Sequence, residues 1–238
     1  MVSKDIIHAL EKSLTKKGHA SLLVCGGSSP LKIFEELTQV ELDWKNITIS
    51  LIDDRIVSRT HPDSNELLVY KYLLKGFAAG AKFISLNNNY DLLIRDAKEF
   101  DVALIGMGPD GHFASLFPSM ILTSNYLKVS AKPAIIITEP IGSPEHKRTS
   151  MNLSMILKTN DIFVVIPNED KLKILEDAKN NKSLPMFYLL NQEIRKINIL
   201  KTFNFIVYWN YPFFIFKRFF LFIEIYFRIY KPFVSSSV

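Results

Sequence analysis

The sequence predicts an α/β domain in three layers, α/β/α, around a mostly parallel sheet. Three observations carry that prediction. Short apolar runs alternate with segments of helical character along residues 1–200, the pattern of parallel sheets assembled from strand–helix–strand units. Runs such as residues 21–24 and 102–105 hold consecutive apolar side chains, as strands buried on both faces do. Glycines and charged residues then fall directly after such runs, and parallel α/β sheets bind ligands just beyond the carboxyl ends of their strands.

At 238 residues the chain suits one such domain, residues 1–200, with an appendage over 201–238. The domain is long enough to bury a substantial core. A formal charge of +5 and a pI near 9.1 raise nucleic acid as a partner, but the Lys and Arg are scattered and form no long basic block. A modest positive field also draws an anionic metabolite. Cys25 is the single cysteine, which excludes an intramolecular disulfide framework and a cysteine-based zinc site. It follows an apolar run and reads as a buried structural thiol. Met1-Val2-Ser3-Lys4-Asp5 has no apolar core of a signal peptide, so the expected location is cytoplasmic.

The elements are justified in order. Ser3 is expected to cap a helix with Ile6, Ile7, Leu10 and Leu14 on one face, ending at Gly18. Residues 21–24 form a strand that runs into Cys25-Gly26-Gly27-Ser28-Ser29-Pro30, with Ser29 as N-cap and Pro30 as first residue of a helix to about residue 39. Such a passage points free backbone N–H groups at an anion, although Gly-Gly before a helix also serves as a plain tight turn. Residues 47–52 form a strand ending in Asp53-Asp54-Arg55, which in isolation reads as a solvated charged loop. Asp63 and Glu66 mark a capping-box-like start for a helix to about residue 74. Residues 82–86 read as a strand and 91–100 as a helix; residues 121–131 carry no clear pattern. Residues 134–138, with three consecutive isoleucines, form a strand before an irregular loop that ends near His146, Lys147 and Arg148. Residues 161–166 form a β-branched strand, and Asn168 caps the next helix, with Glu169 and Asp170 in the first turn as the helix dipole prefers. Lys171 is electrostatically out of place there. A bound phosphate would compensate it; the alternative is a surface lysine directed outward. Ser183-Leu184-Pro185 opens a last short helix, and residues 196–200 form the final strand.

The informative stretch is residues 101–118. An apolar run breaks into Gly106, Gly108, Pro109 and Gly111, and Asp110 and His112 sit inside that turn. Glycines there let backbone approach a substrate, with Asp110 and His112 over it as an ionisable pair. A glycine-rich turn with a solvated Asp and His is the plain alternative.

The string Gly106-Met107-Gly108-Pro109-Asp110-Gly111-His112-Phe113-Ala114-Ser115-Leu116-Phe117-Pro118 closely resembles the signature of the 6-phosphogluconolactonases, relatives of the glucosamine-6-phosphate deaminases. The resemblance covers roughly residues 20–200 and implies a Rossmann-like sheet of the deaminase type. It also implies that His112 is the catalytic base with Asp110 beside it. By the same resemblance, Gly26 to Leu31 matches a Gly-Gly-Ser-x-Pro-Leu segment that helps hold the sugar phosphate through Gly27, Ser28 and Ser29. Asp53 and Arg55 match an Asp-Glu-Arg segment whose middle Glu is Asp54 here, followed at the expected remove by His61-Pro62-Asp63-Ser64-Asn65. Arg148 matches a phosphate-binding Arg at the end of a loop with more prolines than this one, and residues 149–153 match the strand after it. Lys171 matches the Lys of a Gly-x-x-Lys phosphate contact, with Asn168 in place of the Gly.

The reaction expected is hydrolysis of 6-phosphoglucono-δ-lactone, a step of the pentose phosphate route. The lactone carbonyl is electrophilic already, so neither metal nor cofactor is expected. An imidazole titrating near 6.5 suits both proton transfers. Backbone N–H groups of Gly106, Gly108 and Gly111 are candidates to receive the oxyanion. One alternative is an aminosugar-phosphate deaminase/isomerase. That family follows its Asp-Gly-His with a segment whose Asn-Glu positions are Leu116 and Phe117 here, so the relay Glu is missing. Another is a non-enzymatic sugar-phosphate-sensing regulator, which normally carries a helix-turn-helix domain; the N-terminal segment is too short for one. Oligomeric state is not readable.

Residues 201–238 change style abruptly, with ten of the eighteen phenylalanines and no glycine. The uncharged stretch 203–216 is shorter than a membrane span and is interrupted by Pro212. An interfacial anchor, through Lys and Arg interleaved with aromatics, is one expectation, and membrane contact is expected through this tail alone. A non-native reading frame is the other and is favoured.

Overall fold

Apolar runs form the middle of a six-stranded sheet in the computed structural model, which describes residues 1–88 and 99–203. The strands are β1 (Ala20–Val24), β2 (Ile47–Leu51), β4 (Lys82–Ile84), β5 (Phe100–Ile105), β8 (Thr159–Ile166) and β9 (Ile197–Lys201), in the order β4-β2-β1-β5-β8-β9. Every neighbouring pair is parallel. All six residues of β5 are buried, which explains a run without polar alternation. The helix α1 (Lys4–Lys17) packs on β1 and β5, and the helix Glu169–Ala178 packs on β8. The result is a three-layer α/β/α domain. From β1 the chain moves outward through β2 to β4, then returns to lay β5 against the other side of β1. The strand order therefore reverses between β1 and β5, and such a switch point opens a crevice at the strands' carboxyl ends.

A second, antiparallel sheet has the order β3-β7-β6, from β3 (Asp53–Arg55), β7 (Arg148–Met151) and β6 (Ile135–Ile137). The expected charged loop at Asp53-Asp54-Arg55 is thus a strand, with Asp53 and Asp54 buried. Pairing with a segment more than ninety residues away overrides what the local charges suggest.

Several expected boundaries shift for identifiable reasons. Ser3 stands at the N-cap of α1, but its hydroxyl makes no cap bond and donates to Glu36 Oε2 at 2.8 Å instead. Helix α2 (Leu31–Thr38) begins after Pro30, so Ser29 lies in the preceding turn and is not the cap. Helix α3 (Asn65–Tyr72) is capped by Ser64, whose Oγ accepts from Leu67 N–H, and not by Asp63 and Glu66. The Asp54 carboxylate adds to that cap by accepting the Asn65 and Glu66 N–H groups. Asn168 caps its helix as expected, accepting from Lys171 N–H at 2.9 Å. Residues 120–123 form one helical turn in the stretch without a pattern. The expected helix 91–100 falls largely outside the described residues, and its last residue, Phe100, opens β5. The compact unit runs Met1–Phe203, three residues past the expected boundary, because β9 extends to Lys201 and Thr202 N–H bonds to Ile166 O. The remainder of the tail lies outside the described residues. Among those described, no helix is long and apolar enough to cross a membrane.

Candidate active site

The crevice at the β1/β5 switch point is a polar cleft of about 230 Å³. Residues from three strand ends reach it: Gly27, Ser28 and Ser29 after β1, Gly106, Gly108 and His112 after β5, and Lys171 beyond β8. The second sheet supplies Asp53, Arg55 and Arg148. Of the residues singled out in the sequence, Asp110 and Gly111 do not line the cleft.

The loop after β5 is folded by its own backbone. Gly108 N–H donates to His112 O at 2.7 Å, and Gly111 N–H donates to Gly108 O at 3.2 Å. A side chain at Gly108 would collide with the His112 ring, so the missing Cβ is what admits the imidazole. His112 Nδ1 lies 2.5 Å from Asp110 Oδ1. Burial opposes ionisation of Asp110, but the hydrogen bond with His112, the His112 charge and backbone N–H groups outweigh it and hold the carboxyl below its ordinary value. An ionised carboxylate only accepts, so Nδ1 carries the proton of that bond, and in the neutral form of the ring the acceptor is Nε2. The Phe117 ring stacks on the imidazole, with centroids 4.3 Å apart and planes at 29°. The chain returns for that contact through a turn in which Leu116 N–H bonds to Phe113 O and Ala114 takes a positive φ of 49°. Ser115 anchors the turn: its Oγ donates to Asp53 Oδ2 at 2.6 Å and its N–H to Ser150 Oγ at 3.1 Å.

Three cations, Arg55, Arg148 and Lys171, line the same cleft. Arg55 and Arg148 are direct cross-strand partners between β3 and β7. Like charges in that position repel, which needs an opposing charge. Burial first, and Arg55 second, lower the Arg148 pKa, opposed by Asp53, Asp54 and Asp63. Arg148 Nε and Nη2 donate to Ile141 O and Pro144 O, and Gly142 passes close enough that a Cβ would meet the guanidinium at 2.6 Å. Arg55 Nη1 donates to Asp63 O and Asn65 Oδ1, while its Nε is buried without a partner. Lys171 has no ion-pair partner among the described residues; burial lowers its pKa and Asp110 partly restores it. Two loops that frame these cations are joined by His146 Nε2 and Asp63 Oδ2 at 2.9 Å.

Two of the three expected oxyanion donors are corrected by the hydrogen bonding. Gly108 and Gly111 spend their N–H groups inside the loop, whereas the Gly106 N–H, beside the Cys25 thiol, bonds to no described oxygen. The N–H groups of Gly27, Ser28 and Met107, all lining the cleft, bond to no described protein atom. Sequence reasoning also passed over Asn65, whose side chain packs over Gly26 and joins Arg55 to Asp53 O. The signal was there, because Asn65 closes the His61–Asn65 string and follows a serine cap. Cys25 lines the cleft but is 5% exposed; burial, then Asp53, push its thiol up to about 12, so it stays protonated and is no nucleophile. Among the described residues no group of three His, Cys, Asp or Glu is placed to hold a metal.

Comparisons with known proteins fall in one family. Residues 1–197 match the family model for glucosamine-6-phosphate isomerases/6-phosphogluconolactonase. The 6-phosphogluconolactonase of Neisseria meningitidis is 37% identical over 202 residues, 79% of this chain and 87% of that protein. That of Pseudomonas aeruginosa is 41% identical over 191 residues, 74% of this chain and 79% of that protein. The crystal structure of a 6-phosphogluconolactonase from Shewanella baltica superposes with a TM-score of 0.74 at 31% identity, covering 84% of this chain and 91% of that one.

Proposed function

The chain belongs to the glucosamine-6-phosphate isomerase/6-phosphogluconolactonase family, and from that premise we propose that it hydrolyses 6-phospho-D-glucono-1,5-lactone to 6-phosphogluconate. It is a carboxylic ester hydrolase of the pentose phosphate pathway, acting on a small phosphorylated sugar lactone. The observation that carries this best is His112, bonded to Asp110, and three cations in one cleft at the switch point.

His112 Nε2 takes a proton from water as the water oxygen attacks C1 of the lactone. The carbonyl oxygen becomes an oxyanion, for which the Gly106 and Met107 N–H groups are the candidate donors, those of Gly108 and Gly111 being already bonded. As the tetrahedral species collapses, the C1–ring oxygen bond breaks and the ring oxygen takes the proton back from His112. Asp110 holds the imidazole in the tautomer these steps need and offsets its transient positive charge. Arg55, Arg148 and Lys171 hold the phosphate dianion, with Gly27 and Ser28 N–H groups adding donors and Ser29 at the turn behind them. Asp53 is a candidate acceptor for a sugar hydroxyl and braces Ser115. No step calls for a metal or cofactor. A cytoplasmic location fits a phosphorylated substrate and a reduced, buried Cys25.

The test is one assay with 6-phosphogluconolactone, gluconolactone and glucosamine 6-phosphate. We expect strong preference for the first and no ammonia from the third, and His112→Ala should cut turnover by about 10²–10⁴-fold over the uncatalysed background. Equal use of both lactones would remove the phosphate site, and ammonia release would give the case to the deaminase. Turnover surviving in His112→Ala would remove the base.

A further inference from the structure

Phe117 is buried, at 6% exposed, and lies outside the lining of the cleft, yet its ring meets both the imidazole and one of the cations. On one side is the His112 imidazole, stacked at 4.3 Å. The Arg148 guanidinium carbon also lies over the ring, 5.4 Å from its centroid. The two partners depend on it unequally. Arg148 is held independently by the Ile141 and Pro144 carbonyls. Among the described residues His112 has a single polar side-chain partner, Asp110, on Nδ1. One hydrogen bond restrains χ1 and χ2 only softly and leaves the ring room to tilt, carrying Nε2 with it. A flat face stacked on the ring removes that freedom. The contact is also built at some conformational cost, because the chain reaches it through Ala114 at φ 49°, a region that non-glycine residues seldom enter.

We infer that Phe117 is a positioning residue for the hydrolysis: its ring fixes the plane of the His112 imidazole and so aims Nε2 at the attacking water. The role rests on the lactonase chemistry proposed above. It predicts a loss in turnover rather than in binding, because the phosphate cations keep their own anchors. It also predicts that the loss does not depend on whether the substrate carries phosphate.

The experiment uses the full chain with Phe117→Leu, and Phe117→Met as the second variant if the first gives no folded protein. Folding is checked by thermal unfolding. The kcat should fall about 10- to 100-fold on both 6-phosphogluconolactone and gluconolactone, the scale of a misoriented catalytic group. KM for the phosphorylated lactone should stay within about twofold. A second readout needs no turnover. In proton–carbon NMR spectra the His112 ring protons should be shifted upfield by the stacked phenyl ring, and lose that shift in the variant. Wild-type kcat in a folded variant overturns the inference, as does a loss confined to KM or a His112 signal that does not move. A wild-type protein that hydrolyses neither lactone would instead sink the functional proposal, while the NMR shift would still report on the stack.

Discussion

Lys171→Ala should weaken the enzyme on its phosphorylated substrate while leaving the free protein as stable as before, or more so. Lys171 stands in the first turn of the helix Glu169–Ala178, where the dipole disfavours a cation, and it is partly buried without an ion-pair partner among the described residues. Burial lowers its pKa, so the unfolded chain holds this proton more tightly than the folded one. The wild type therefore gains stability from this group as pH rises toward 10.5, and the variant lacks that gain. With phosphate bound, the sign reverses. A charge-assisted contact contributes about 1.5–3 kcal/mol. Its loss lowers kcat/KM on 6-phosphogluconolactone about 10- to 150-fold, at 1.4 kcal/mol per decade. Gluconolactone, without the phosphate, should be used equally by both proteins. The assay is kcat/KM on the two lactones, paired with thermal unfolding in the absence and presence of inorganic phosphate. Phosphate should raise the wild-type midpoint more than that of the variant. A variant with a lower midpoint in buffer and unchanged preference between the lactones would refute the reasoning and make Lys171 a structural residue.

Two further outcomes test the framework around the site. Burial raises the Asp54 carboxyl from 3.8 to about 6 against its hydrogen bonds from Asn65, Glu66 and Arg55, so the folded state binds this proton more tightly. Its contribution is full below about pH 4 and is lost as pH rises to about 6, at a cost of about 3 kcal/mol. Denaturant unfolding of wild type against Asp54→Asn should show the difference moving in the variant's favour across that window; a flat or opposite trend would remove the assignment. A chain ending at Phe203 should fold cooperatively, keep its turnover and be more soluble than the full chain, since β9 and the Thr202–Ile166 bond are retained. Unfolding on truncation would assign residues 204–238 to the domain, and liposome flotation by the full chain alone would favour an interfacial anchor.

The sequence by itself determined the parallel core and the chemistry of its main loop. Strands such as β1 and β5 announce themselves because a strand buried on both faces must be apolar at every position, and that demand is local. The glycines around Asp110 and His112 are legible for the same reason: a tight turn and a close ring contact are met within a few residues, as Gly108 meets His112. The helix at Asn168 is likewise decided by its own cap. Tertiary structure alone decided what the charged segment at Asp53 would become. A strand with two buried carboxylates is stable there because β7 pairs with it and α3 offers its N-terminal N–H groups to Asp54. Neither partner leaves a mark on the local pattern. The facing of Arg55 and Arg148, the loss of the Gly108 and Gly111 N–H groups to internal bonds, and the Phe117 stack are of the same kind. Hydrophobic period reports which face of an element is buried, whereas charge pairing, hydrogen-bond saturation and ring contacts depend on which distant backbone arrives opposite.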